Sequence, residues 1–140
     1  MTTPEAAFAT RVRDGLRPLG LDTERIENRV NLGVSDLVIG AGDRFVTVEL
    51  KAVSRGLKVS LRPHQIAFLT RHAAAGRPCF VLVHYVSTVS RPGRVLLYGG
   101  EQAIALAQEG LRLKPLREWP SRGTPWAELA DILTGKTPIK

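Results

Sequence analysis

Two short runs of β-branched and apolar residues between positions 34 and 51 carry an unusual number of charges. Asp36 lies in the first run, and Glu49 and Lys51 lie in the second, with a glycine-containing break at residues 40–44 between them. This pattern is typical of an antiparallel hairpin, whose strands are normally poor in charged residues. These three side chains are therefore the first candidates for chemistry.

The predicted register of the hairpin places Asp36 directly opposite Glu49. A two-residue turn at Gly42 and Asp43 pairs positions whose numbers sum to 85, and a four-residue loop over residues 41–44 gives the same pairing. Side chains that face each other in an antiparallel pair have Cβ atoms about 4.5 to 5.5 Å apart, and like charges there repel. The two carboxylates therefore need a neutralising group.

Lys51 follows Glu49 by two positions, so both side chains project from one face of their strand. Lys51 could act as a simple counter-ion for the two carboxylates. Alternatively, the carboxylates of Asp36 and Glu49 hold a hard divalent cation, and Lys51 stands over its water or over a substrate phosphate. The spacing alone leaves both interpretations open.

Length and composition predict one globular domain over residues 1–140. Apolar residues make up 44% of the chain, and its mean hydropathy is −0.03. The sequence contains no run of about 18 apolar residues and does not start like a signal peptide. We therefore expect a cytoplasmic protein without a membrane partner.

The cysteine and histidine content argues against other kinds of metal site. A single cysteine, Cys79, excludes an internal disulfide and a cysteine-based zinc cluster, and its apolar neighbours favour a buried, unreactive side chain. Of the three histidines only His64 and His72, eight positions apart, could share a helix face. This spacing does not favour a histidine metal site.

The charge balance favours a polyanionic partner. The net charge is +7, the isoelectric point is near 10.3, and arginine outnumbers lysine 15 to 5. Positive potential attracts phosphates, and arginine binds them in a bidentate manner.

The residues before the hairpin predict a helix and then an edge strand. Thr3 is suited to cap a helix, with Pro4 at its first position and Glu5 in its first turn. Alternating apolar residues over 24–32 predict a strand that leads into the hairpin. That strand would bring Glu27 within reach of the hairpin as a third carboxylate.

The residues after the hairpin predict a basic loop and a second helix. The composition of residues 52–61 fits either a phosphate clamp or a solvated linker, and both interpretations stay open. Pro63 predicts the start of a helix that Gly76 ends. Gln65 lies in the first turn of this helix, so its amide could point towards the hairpin carboxylates.

The remaining sequence predicts a buried strand over residues 79–86, which should run parallel to the second hairpin strand because a helix connects them. A further strand is expected over 94–98, a short helix over 100–107, and a last helix that Thr124 caps and Gly135 ends. The prediction is thus a core over about residues 5–100 and a C-terminal helical extension over about 101–135.

The order of these elements, αβββαβ, resembles the PD-(D/E)XK nuclease superfamily, and more narrowly the small virus-type replication and repair nucleases and Holliday-junction-resolvase-like proteins. The resemblance covers about residues 5–86. The matching segments are Arg25-Ile26-Glu27-Asn28, Gly33-Val34-Ser35-Asp36, Glu49-Leu50-Lys51 and Leu61-Arg62-Pro63-His64-Gln65. The proline usual before the aspartate is Ser35 here, and that proline shapes the backbone without binding the metal.

The resemblance implies an α/β fold with a restriction-endonuclease-like core, in which helices flank a mixed central sheet. It also implies that Asp36, Glu49 and the backbone carbonyl of Leu50 bind Mg²⁺ or Mn²⁺. Glu27 would complete or support this metal shell.

Two further residues take roles by the same resemblance. Gln65 would orient a ligand, a water or the lysine, and Lys51 would position or activate the attacking water and offset charge on the phosphate. Basic residues of the loop and the second helix are candidate nucleic-acid contacts, namely Arg55, Lys58, Arg62 and His64.

The implied function is a metal-dependent DNA endonuclease that hydrolyses phosphodiester bonds in branched or junction DNA during replication, recombination or repair, and that acts as a homodimer or higher homo-oligomer. The sequence contains no base-reading motif, so recognition of backbone and shape is expected. One alternative is a catalytically inactive nucleic-acid-binding module with the same fold. Another is a structural ion-pair cluster in a protein of unrelated function.

Overall fold

The computed structural model describes residues 3–26 and 36–136. The helices in these ranges are α1 (Pro4–Leu16), α2 (Pro63–Ala74), α3 (Ala103–Glu109) and α4 (Trp126–Leu133). The strands are β1 (Asp22–Arg25), β2 (Leu37–Ala41), β3 (Arg44–Val53), β4 (Cys79–Tyr85), β5 (Arg94–Gly99) and β6 (Arg117–Pro120).

The strands form one mixed six-stranded sheet in which each strand lies beside its neighbour in sequence, from β1 at one edge to β6 at the other. β3 and β4 are parallel, and all the other neighbouring pairs are antiparallel. The parallel pair is joined through α2, as the sequence predicts. β3 therefore lies inside the sheet, between a hairpin partner and a parallel partner.

Alternate residues of the central strands face two separate apolar cores. On β3, Val48 and Leu50 belong to the core that α1 and α4 cover. On β4, Val81 and Val83 belong to the core that α2 and α3 cover. Helices thus flank the mixed sheet on both faces, and residues that alternate with Val48 and Leu50 point to the α2 side.

The predicted start of α1 is confirmed. The Thr3 hydroxyl oxygen accepts the N–H of Ala6 at 3.1 Å, and Pro4 occupies the first helical position. The helix then buries its apolar stripe of Phe8, Ala9, Val12 and Leu16 in the core beneath the sheet.

The predicted hairpin register is also confirmed, because Leu37 pairs with Val48 and Ala41 pairs with Arg44. Gly42 takes a φ of +66° in the two-residue turn, a value that a side chain would oppose. β3 continues two residues beyond the predicted Lys51. The extension has a simple cause, since Val53 still has a parallel partner in Tyr85.

The C-terminal region differs from the sequence-based expectation in two details. Residues 117–120 form an edge strand, β6, where the prolines predicted only an interrupted segment. Pro120 is the last residue of this edge strand, a position where a missing N–H is tolerated. Thr124 does not cap α4, because its hydroxyl donates to the carbonyls of Pro120 at 3.1 Å and Ser121 at 2.9 Å.

The first predicted strand is only partly within the described ranges. β1 covers Asp22–Arg25 and lies at the sheet edge, as expected. Residues 27–32 of that prediction lie outside the described residues. Within the described part of the chain, no helix is both long enough and apolar enough to cross a bilayer.

Gly110 is expected to be essential for the packing of the loop between β3 and α2. It has a φ of +62°, and a Cβ atom there would overlap the carbonyl oxygen of Leu57, which accepts the N–H of Leu111 at 2.7 Å. We expect Gly110→Ala to lower the free energy of unfolding by about 2 to 5 kcal/mol, as strain and overpacking add.

The matched control is Gly123→Ala, because Gly123 has a φ of +78° with no neighbouring atom within 4 Å of the added Cβ. For this variant the free energy of unfolding should fall only by the backbone-strain contribution, about 1 to 2 kcal/mol. Urea unfolding of the two variants measures the difference. Equal losses would show that the contact with Leu57 contributes nothing.

Candidate active site

Asp36 and Glu49 meet at the open end of the hairpin, opposite its turn. Leu37 pairs with Val48, so the next position outward sets Asp36 against Glu49, as the sequence predicts. The Asp36 Oδ2 atom accepts the backbone N–H of Leu50 at 3.0 Å. The Asp36 carbonyl accepts the N–H of Ile26 at 2.8 Å, which links this position to the end of β1.

Glu49 is the most deeply buried charged residue of the site, with 1% of its surface exposed. Its Oε2 atom accepts the Nε2–H of Gln65 at 2.9 Å and lies 4.0 Å from the Nζ atom of Lys51. The lysine side chain is itself 13% exposed. Lys51 is therefore mostly enclosed, yet retains access to solvent.

Gln65 connects the site to the start of α2. Its Oε1 atom accepts the Nζ–H of Lys51 at 3.2 Å and the backbone N–H of Arg62 at 2.9 Å. The second bond satisfies an N–H at the helix start, which has no intrahelical partner. The sequence-based expectation that this amide points to the carboxylates is confirmed.

The third carboxylate within the described residues belongs to Glu5, in the first turn of α1. One carboxylate oxygen each from Glu5, Asp36 and Glu49 lie within 4.8 Å of one another. The sequence analysis treated Glu5 only as a helix-start residue. The available signal was that Glu5 heads the apolar stripe of α1, three and four positions before Phe8 and Ala9, where a charge needs a partner.

Glu27, which the sequence analysis assigns as third carboxylate, lies outside the described residues. Its role stays a prediction. The same holds for the Leu50 carbonyl as a metal ligand, since only the Leu50 N–H has a described side-chain partner here.

Burial, together with the crowding of carboxylates, raises the pKa of two of them. Burial, followed by a hydrogen bond to Asp36 and repulsion from it, raises the pKa of Glu49 to about 9, although Lys51 acts in the opposite direction. Burial and repulsion from Asp36 also raise the pKa of Glu5. The protein therefore favours binding a positive charge, either a proton or a cation, at this point.

The donor set fits a hard divalent cation such as Mg²⁺ or Mn²⁺. All three convergent groups offer carboxylate oxygens, the ligands that these ions prefer, and no softer ligand is part of the group. Glu5, Asp36 and Glu49 would hold the ion, whose two positive charges would offset a carboxylate repulsion that the single charge of Lys51 offsets only in part.

The four candidate nucleic-acid contacts lie on the loop that leaves β3 and on the start of α2. Arg55, Lys58 and Arg62 are exposed, and His64 is partly buried. The loop is held in place, because Val59 is 1% exposed and the loop also bonds to the turn after α3. Basic side chains thus stand on an anchored segment that begins three residues after Lys51.

Comparison with known proteins finds a similar fold but no related sequence. No family model matches the chain, and no curated protein matches its sequence. The structure is similar to that of Hjc from Archaeoglobus fulgidus, described as a Holliday junction resolvase from an archaeal hyperthermophile. The two share 18% identity with a TM-score of 0.50, over 69% of this chain and 77% of that one.

This similarity confirms the predicted α/β, restriction-endonuclease-like fold, in which helices flank a mixed sheet. The neighbour is an archaeal resolvase, so the narrower resemblance to small virus-type nucleases stays a prediction.

The raised pKa of Glu49 predicts a specific dependence of stability on pH. The folded chain holds the Glu49 proton more tightly than the unfolded chain, whose value is near 4.5. This contribution is complete below about pH 4.5 and is lost as pH rises through about 9. In the presence of EDTA, the free energy of unfolding should therefore fall across this window, by at most about 1.4 kcal/mol per pH unit for one proton.

Urea unfolding at pH 5, 7 and 9 measures this dependence. Glu49→Gln should flatten it, whereas Glu109→Gln, at an exposed position on α3, should leave it unchanged. Mn²⁺ should stabilise the wild-type protein more at pH 8 than at pH 6, because the ion competes with the proton. Parallel titrations of Glu5→Gln and Glu27→Gln identify the third ligand, and an unaltered Mn²⁺ response in Asp36→Asn would contradict the site.

Proposed function

We propose that the protein is a metal-dependent endonuclease that hydrolyses phosphodiester bonds of DNA. The observation that carries the proposal is the convergence of Glu5, Asp36 and Glu49 beside a lysine and a glutamine that are hydrogen-bonded to each other. The fold is similar to that of a protein described as a Holliday junction resolvase, which supports the same function by analogy of fold.

Hydrolysis of a phosphodiester forms a bond from a water oxygen to phosphorus and breaks the bond to one sugar oxygen. The water loses a proton, and the departing oxygen gains one. Catalysis of this step depends mainly on positioning and on stabilisation of negative charge. Glu5, Asp36 and Glu49 would hold a divalent cation, which would supply Lewis-acid neutralisation of the phosphate charge.

Lys51 is the residue that we assign to the attacking water and the phosphate oxygens. Its Nζ atom donates to the Gln65 amide at 3.2 Å and lies 4.0 Å from Glu49, which fixes the end of a flexible side chain. A fixed positive charge needs little reorganisation when negative charge develops on the phosphate. Gln65 acts as the positioning residue for Lys51.

The distribution of charge along the chain supports a polyanionic substrate. Between Glu49 and Glu101 the sequence contains eight basic residues and no acidic one. This stretch includes Lys51, the anchored loop and α2. Phosphates attracted by this part of the protein would arrive beside the carboxylates, whose own repulsion the cation offsets.

We further propose that the substrate is branched or junction DNA and that the protein acts as a homodimer. Symmetric incision of a junction needs two active sites that face two strands, and a two-fold dimer supplies them. The support for this finer assignment is the fold shared with Hjc, which is described as a Holliday junction resolvase.

Lys51→Ala tests the proposed chemistry. We expect cleavage of DNA in Mg²⁺ or Mn²⁺ to fall by about 10²-fold or more, because a preorganised charge at the phosphate is removed. DNA affinity should change little, since Lys51 is only 13% exposed. Gel assays of cleavage, with binding measured separately in EDTA, report the two effects.

Lys114→Ala is the matched control, because Lys114 is an exposed lysine near β6. It should cleave like the wild-type protein. Cleavage by Lys51→Ala at the wild-type rate would remove the lysine from the mechanism. Salt-sensitive binding without any cleavage by the wild-type protein would instead favour the inactive binding module.

Arg55→Ala tests the DNA path. Arg55 is exposed four positions after Lys51, and loss of one phosphate contact should reduce the slope of log affinity against log salt concentration by about 1. The control is Arg17→Ala, about 18 Å along α1 from Glu5 by helical rise. Identical salt slopes in all three proteins would exclude Arg55 from the interface.

A further inference from the structure

The connection between β4 and β5 forms a short arm, residues 86–93, that is rooted beside the active site. The Val86 N–H donates to the carbonyl of Val53 at 2.9 Å, the last residue of β3. The Arg91 guanidinium donates to the carbonyls of Ser54 at 3.2 Å and Val86 at 3.0 Å. The arm is therefore fastened to the strand that carries Glu49 and Lys51.

The arm is braced by further contacts within itself. Arg91 also lies over the ring of Tyr85 at 3.7 Å, a cation–π contact that holds its base. Thr88 and Arg91 pair across the arm, and the Thr88 hydroxyl oxygen accepts the N–H of Ser90 at 3.3 Å. These bonds favour one fixed shape for the tip.

The tip presents an apolar side chain to solvent. Val89 is fully exposed, with a relative accessibility of 110%. A single exposed valine is common on protein surfaces. This one differs in its setting, because it ends a braced arm that is fastened beside the carboxylates and lies in the long stretch that contains no acidic residue.

We propose that the arm contacts DNA next to the cleaved phosphate and that Val89 packs against unstacked bases at a branch point. The inference rests on the proposed nuclease function and deepens it, since it assigns the preference for branched DNA to a particular segment. Apolar side chains enter between base steps, and the cost of unstacking is lowest where continuous stacking is already interrupted, as it is at a branch point.

The positive charge at the base of the arm and the length of the arm both fit this role. Arg91 and Arg55 stand at the base of the arm without a nearby acidic residue in sequence, so phosphates are attracted there. At about 3.3 Å per residue, the tip lies roughly 15 to 20 Å from Lys51, or about five base pairs along a duplex. The arm thus spans the distance between a branch point and a nearby phosphate.

Val89→Ser tests the proposal with two substrates of equal length, a four-way junction and a linear duplex. We expect cleavage of the junction in Mn²⁺ to fall about five- to tenfold, while cleavage of the duplex stays within about twofold of wild type. Val89→Leu should retain the junction preference. Phe45→Ser is the matched control, because Phe45 is 75% exposed at the opposite end of β3.

A second readout does not depend on cleavage. With 2-aminopurine at the branch point, binding of the Lys51→Ala protein should raise the fluorescence, and the Lys51→Ala, Val89→Ser double variant should not. An unchanged junction-to-duplex ratio in Val89→Ser, or no fluorescence rise on binding, would overturn the role of the arm. Failure of the wild-type protein to cut any DNA would overturn the nuclease function instead, and the fluorescence result would still decide whether the arm opens the branch.

Discussion

The burial of Glu49 is the constraint on which this site depends. The residue is 1% exposed, and its carboxylate lies among the carboxylates of Asp36 and Glu5, an arrangement that repels a third negative charge. An isolated buried charge costs several kcal/mol, so the position must hold a proton or bind a cation. It persists because β3 is fixed from both sides, by a hairpin register with β2 and by seven parallel pairs with β4. The sheet therefore holds Glu49 at a position where burial and the neighbouring carboxylates destabilise its ionised form.

Gln65 shows how tightly the site is coupled to the fold. Its amide oxygen accepts from the backbone N–H of Arg62, directly before α2, and from Lys51, while its amide nitrogen donates to Glu49. The start of the helix and the orientation of the lysine therefore depend on one side chain. Replacement of Gln65 would disturb both together, and this explains why the amide lies at the third position of the helix, where its reach covers the helix start and the sheet.

Local signals predicted the parts of the site that are set by local physics. The alternation around Gly42 fixed the register of Asp36 against Glu49, and Pro63 placed Gln65 in a first helical turn. Glu5 was missed because its place near the hairpin depends on how α1 packs on the sheet, and its position in a first turn already had a local explanation. The strand β6 was missed because a four-residue edge strand ending in Pro120 carries weaker signals than the prolines around it.

In the proposed nuclease, the same strand, β3, would position both the substrate and the groups that act on it. Three carboxylates repel a phosphate, while the basic residues that follow Lys51 in sequence attract it, so the two groups act on a polyanion in opposite directions. The two effects become compatible only when positive charge fills the carboxylate cluster. The loop after β3 starts at the end of this strand, and the braced arm is hydrogen-bonded to the same end at Val53 and Ser54. In the proposed nuclease, the position of DNA relative to Lys51 would therefore be set by one rigid element. Under the proposed function, a phosphate backbone that contacts the basic loop would lie beside the lysine.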